Sequence, residues 1–175
     1  MPESELRLGI AVFTSFDTRE ISPLAPHWAL IAHPTGFSNG GVQVFQSAKR
    51  LENNEWVLQH VASCSLVRSS LTLIGVIELG PVQMSSTNLH IFMNHFPATM
   101  GSDNPSGRPG WSSASWVIRA LHHLVLWGKL TLPVPTDKIY DRAALRIRTL
   151  KEVQTSWRNA SEHRDLRDKL QWIPF

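Results

Sequence analysis

The hydrophobic pattern of this chain changes period near Ser85, and that one change limits what it can build. Before it, short apolar runs alternate or carry β-branched residues: RLGIAVFTS (7–15), HWALIAH (27–33), VQVFQS (42–47), EWVLQHVAS (55–63), SCSLVRSS (63–70) and LTLIGVIEL (71–79). Each predicts a strand, and PTGFSNGG (34–41) joins the second to the third as a long hairpin loop. Gly75, inside an apolar run, predicts a bulge or a close backbone approach. After Ser85 apolar residues recur at helical spacing. SSTNLHIFMNHF (85–96) predicts a short helix capped by Ser85 or Ser86, and PATMGSDNPSGRPG (97–110) a loop. Trp116, Ala120, His123 and Trp127 mark a helix over 111–129, closed by Gly128 and Pro133. TDKIYDRAALRIRTLKEVQTSW (136–157) predicts another, capped by Thr136 or Asp137. Its apolar stripe is Ile139, Ala143, Ile147 and Leu150, opposite a solvated basic face. SEHRDLRDKLQWIPF (161–175) reads as a short charged helix and a docked apolar end.

Sheet first and helices after means α+β, and short connections favour antiparallel pairing. The expectation is a single domain over 1–175. An antiparallel sheet packed against the central helix forms its core (1–130), and further C-terminal helices form an extension (131–175). At 42% hydrophobic and 18% charged, the chain has enough apolar material for that core. Net charge is +3 with acids and bases interleaved, so no nucleic-acid footprint emerges. Cys64 is the single cysteine, which excludes an internal disulfide and a cysteine metal knuckle; in a strand it reads as a small buried hydrophobe. MPESELRLGIAVF lacks the positive start of a secretory signal, and no apolar run approaches the roughly 18 residues that span a bilayer. A cytoplasmic protein with no membrane span is expected, in which the NAS at Asn159 is no glycosylation site. His90 and His95 lie five apart and do not share a helix face, while His122 and His123 point apart. No metal and no cofactor is expected.

Two stretches carry chemistry. In HWALIAH, side chains alternate, so His27, Ala29, Ile31 and His33 share one face and Trp28, Leu30 and Ala32 the other. Pro26 fixes the entry to His27 and the small Ala29 leaves room beside it. His33, at the strand end, reads as a turn residue. Pairing about symmetric around the turn at 36–39 puts Ser47 roughly opposite His27, with Gln43 and Phe45 on the same face. In GWSSASWV (110–117), small hydroxyls stand where a helix begins, and a helix N-terminus favours a developing anion. A nucleophile there, with a strand-borne histidine as base, is one arrangement for acyl transfer. The same serines also serve as ordinary caps. Asp103 and Arg108 either line a loop over the cleft or are plain loop charges.

HWAL at 27–30, then strands, then a helix opening Ser112-Ser113-Ala114-Ser115-Trp116-Val117 resembles the circularly permuted papain-like group. That group includes the lecithin:retinol acyltransferase-like and permuted NlpC/P60-like proteins, and fungal proteins with HWAL early and an NCQxWV-type helix later. The resemblance covers residues 7–129. It sets Ser113 at the cysteine's place and Ser112 at the place of the preceding asparagine. A hydroxyl is harder to ionise than a thiol, so a serine there needs a well-placed base and an oxyanion hole. The resemblance implies His27 and Ser113 as catalytic residues, with Trp28, Gln43, Ser47, Trp111, Ser112 and Trp116 lining the cleft. It implies a small, apolar organic substrate, such as a fungal specialised metabolite, and cyclisation, isomerisation or acyl-transfer and hydrolysis chemistry. The competing expectation is a catalytically inactive domain of the same fold that binds a ligand or another protein.

Overall fold

The computed structural model describes residues 5–14, 26–66, 73–159 and 170–175, with side chains through 156 and from 170 onward. Ser15, the VRSS half of SCSLVRSS and the charged helix expected from 161 lie outside the described residues. The chain runs β1 (Leu6–Phe13), β2 (His27–His33), β3 (Val42–Phe45), β4 (Ser47–Lys49), β5 (Trp56–Leu58), β6 (Val61–Cys64) and β7 (Leu73–Val82). It continues as α1 (Ser86–Asn94), α2 (Ser113–Leu126), a 3₁₀ turn at Thr136–Lys138, α3 (Ile139–Asn159) and β8 (Trp172–Pro174). The fold is α+β. Among the described residues, one sheet has the order β6-β3-β2-β1-β7-β8 and a separate ribbon pairs β4 with β5.

Pairing in the main sheet is antiparallel except for β8, which runs parallel to β7. The expected helical extension therefore ends in a strand of the main sheet, with Phe175 buried and its N–H bonded to the Glu78 carbonyl at 2.9 Å. The 55–63 strand is also corrected. It breaks at Gln59 and His60, so β5 belongs to the ribbon and β6 to the main sheet. Neither Thr136 nor Asp137 caps α3, because both lie in the 3₁₀ turn that leads into it.

Burial divides by strand face. Leu8, Ile10, Val12, Trp28, Leu30 and Phe45 face the helices, while Ala11, Ala29, Ile31, Val44 and Val76 close a second core around Phe37 and Leu66. Each large apolar side chain so buried contributes about 1.5–3 kcal/mol. α2 is buried nearly all round from Ser113 to Leu121, which makes it the central helix. Its C-terminus is a Schellman motif: Gly128 has φ 65°, its N–H donates to Val125 at 3.0 Å, and Lys129 N–H donates to Leu124 at 2.9 Å.

Gly75 combines both roles read into it. Val12 pairs with Gly75 but Phe13 with Leu73, so Ile74 is an inserted residue. A Cβ at Gly75 would stand 2.7 Å from Leu150 Cδ2 and 3.1 Å from the Gln171 carbonyl, which accepts the Val76 N–H. The missing side chain thus lets α3 and the β8 segment close on β7. Gly75→Ala is expected to destabilise the protein by about 1–3 kcal/mol, read as a lower urea midpoint at unchanged slope.

Candidate active site

α2 begins because Ser112 adopts an extended backbone (φ −149°, ψ 171°) and its hydroxyl accepts the Ser115 N–H at 3.2 Å. Capping is therefore the work of Ser112, not of its neighbour. Ser113 is the first helical residue, 6% exposed. Its Oγ accepts the backbone N–H of Trp28 at 3.1 Å. No acceptor is seen among the described residues for the Ser113 hydroxyl proton.

That bond exists because β3 stops. The β2–β3 ladder ends at Leu30↔Phe45, so the Trp28 N–H has no strand opposite it and meets the start of α2 instead. The register also differs by one residue from the one that sets Ser47 opposite His27. Ala32 pairs with Gln43 and Leu30 with Phe45, which puts Gln43 and Phe45 on the Trp28 face, away from His27. A one-residue slip turns every side chain to the other face. Gln46, not Ser47, comes to His27: its Oε1 lies 2.8 Å from His27 Nε2. A carbonyl oxygen only accepts, so this contact favours the proton on Nε2. His27 also tilts against Phe13, with ring centroids 6.3 Å apart.

Gln46 is held at both backbone groups. Its N–H donates to His60 Nδ1 at 3.2 Å and its carbonyl accepts from Gln59 at 3.0 Å. His60 lies among the rings of Phe45, His90 and Trp116. Its pKa is lowered, first by burial and then by the nearby His90, against an opposing pull from the Met93 carbonyl. His60 Nε2 and Trp116 Nε1 are buried without hydrogen-bond partners.

The other expected cleft residues take different places. Trp28 (2% exposed) and Trp116 (0%) are core, and Trp28 stacks on Tyr140 at 5.4 Å. Gln43 is half-buried with its Oε1 unpartnered. Ser47 is buried and donates to the Ala98 carbonyl at 2.8 Å, the same carbonyl that takes the Trp111 Nε1–H at 2.8 Å. Trp111 lies under the guanidinium of Arg119, 4.2 Å from its centroid. Arg119, itself buried, also bonds the carbonyls of Pro97, Thr99, Met100 and Asp103 and the Asp103 carboxylate. Asp103 further meets His123 at 3.2 Å, so it ties the loop to α2. Arg108 covers the Tyr140 ring at 4.0 Å.

Cys64 is half-buried, and burial pushes its thiol pKa up. His33 holds its own turn, accepting from Thr35 and Gly36. Among the described residues, no three His, Cys, Asp or Glu side chains converge as a metal ion requires, and no helix is long and apolar enough to cross a membrane. Sequence reasoning missed Gln46 and His60. The eight-residue hairpin loop leaves the register open, and no pattern marks the break at 59–60. No protein-family model, curated protein or solved structure matches this chain.

The lowered His60 pKa has a definite sign. Above the ordinary histidine value the ring is neutral in both states. As pH falls below it, the unfolded chain takes up a proton that the folded state resists, and stability is lost until the folded pKa is passed. The melting temperature is expected to fall from pH 7.5 to 5.0, and to fall less in His60→Asn, as measured by circular dichroism.

Proposed function

We propose that this protein is an enzyme of acyl transfer or hydrolysis acting on a small, largely apolar organic molecule, with Ser113 as nucleophile and His27 as general base. The observation that supports the reading is that two adjacent residues of β2 meet the two groups. Trp28 N–H holds Ser113 Oγ, and the residue before it is a histidine whose Nε2 is held by Gln46. In the reaction, Oγ attacks the substrate carbonyl as His27 Nδ1 takes its proton, and the carbonyl π pair moves onto oxygen. The leaving group departs with the proton returned by the imidazolium; water or an acceptor alcohol then repeats the cycle on the acyl-serine. The N-terminal amides of α2 and the Trp28 N–H favour the negative charge that develops.

Gln46 orients the imidazole but cannot neutralise it once charged. Replacing the triad aspartate by its amide costs about 10⁴ in one protease, partly through the wrong tautomer, so turnover is expected to be slow. A second reading, cyclisation or isomerisation with His27 as the acid–base group, draws on the low exposure of Ser113.

Fluorophosphonate labelling separates the two without knowledge of the substrate. The acyl-transfer reading expects labelling at Ser113 that is absent in Ser113→Ala and slowed at least about 100-fold in His27→Ala. It also expects the thiol introduced by Ser113→Cys to titrate well below the ordinary value of about 8.5, while Cys64 stays slow toward iodoacetamide. An unlabelled parent protein together with an ordinary thiol pKa in Ser113→Cys would sink that reading.

A further inference from the structure

We infer that His60 is a positioning residue for His27, acting through Gln46. The role presumes the acyl-transfer site proposed above, but the geometry is visible apart from it. Gln46 is the residue at which the chain leaves the main sheet for the ribbon, between the end of β3 and the start of β4. Strand partners do not hold it there. Its N–H donates to His60 Nδ1 at 3.2 Å and its carbonyl accepts the Gln59 N–H at 3.0 Å, so one dipeptide fixes both backbone groups. With the backbone so fixed, the side chain reaches His27 Nε2 at 2.8 Å, and its carbonyl oxygen favours the tautomer with the proton on Nε2.

The surroundings of His60 show why the ring is an imidazole. Phe45 lies 5.3 Å from it, Trp116 5.6 Å and His90 6.3 Å between centroids, an environment that a phenylalanine would fill. Accepting at Nδ1 puts the neutral ring's proton on Nε2, which is buried and makes no well-formed hydrogen bond, though the Met93 carbonyl lies near enough to act on the ring. What the histidine adds over an apolar ring on the side of the ribbon is the Nδ1 acceptor, and its recipient is Gln46. Burial and the neighbouring His90 keep the ring in the neutral form that can accept.

The test uses His60→Leu, which removes the acceptor, and His60→Asn, whose Oδ1 stands near the Nδ1 position. Imidazole ¹⁵N chemical shifts of His27 report its tautomer. The parent protein and His60→Asn are expected to hold the Nε2–H form, and His60→Leu to show a smaller share of it. Fluorophosphonate labelling of Ser113 is expected to slow by about tenfold or more in His60→Leu and to recover to within about threefold in His60→Asn. Should His60→Leu fail to fold, His60→Gln replaces it, since its amide reaches toward the Nε2 position instead. An unchanged His27 tautomer in the acceptor-deficient variant, or its equal loss in His60→Asn, overturns the inference. A parent protein that never labels removes the acyl-transfer reading alone, because the tautomer measurement does not depend on it.

Discussion

The early end of β3 is the constraint on which the site depends. A strand one or two residues longer would pair with Trp28 and satisfy its N–H, and the start of α2 would lose its anchor on the sheet. The ladder stops at Phe45, and the freed N–H of Trp28 binds Ser113 Oγ. The same departure sends Gln46 across to His27. Two sheet breaks face each other here, one at Gln46 and one at Gln59–His60, and each satisfies the backbone groups the other leaves open. Buried backbone polar groups must find partners, so the two breaks belong together.

A second element delivers α2 to that edge. The 97–110 loop carries little secondary structure of its own, and Arg119 organises it from inside the helix by bonding four of its carbonyls and one carboxylate. The planar fork of a guanidinium suits convergent carbonyls, and stacking on Trp111 shields it from water. Ala98 then receives both Ser47 and Trp111, which links the loop to the ribbon and to the approach of α2. The tryptophans that looked like ligand faces serve packing here: Trp28 and Trp116 fill the layer between sheet and helices.

Much of the architecture was legible in the sequence because local period reports burial directly. Alternation in HWALIAH separated the His27 face from the Trp28 face, and the structure keeps that separation in its two cores. The serine clusters at 85–86 and 112–115 announce their helices because a cap is a contact within a few residues, and the structure gives the capping to Ser85 and Ser112. Gly75 was marked by its place in an apolar run, though not by what would crowd it. The C-terminal strand was not legible. Three residues of WIP carry no period, and their pairing with β7 brings together segments almost a hundred residues apart.

The α+β order, the faces of the long strands and the serine clusters at the starts of α1 and α2 are therefore readable from sequence, because each follows from interactions that span a few residues. The candidacy of His27 and Ser113 rests in addition on the resemblance of their two motifs to the permuted papain-like group. Only the tertiary structure decided which group would stand beside His27. That choice turned on a one-residue hairpin register, and every side chain of β3 changes face with it. The placing of His60 behind Gln46, and of Ser113 beside Trp28, rests on hydrogen bonds between segments that only the folded chain brings together.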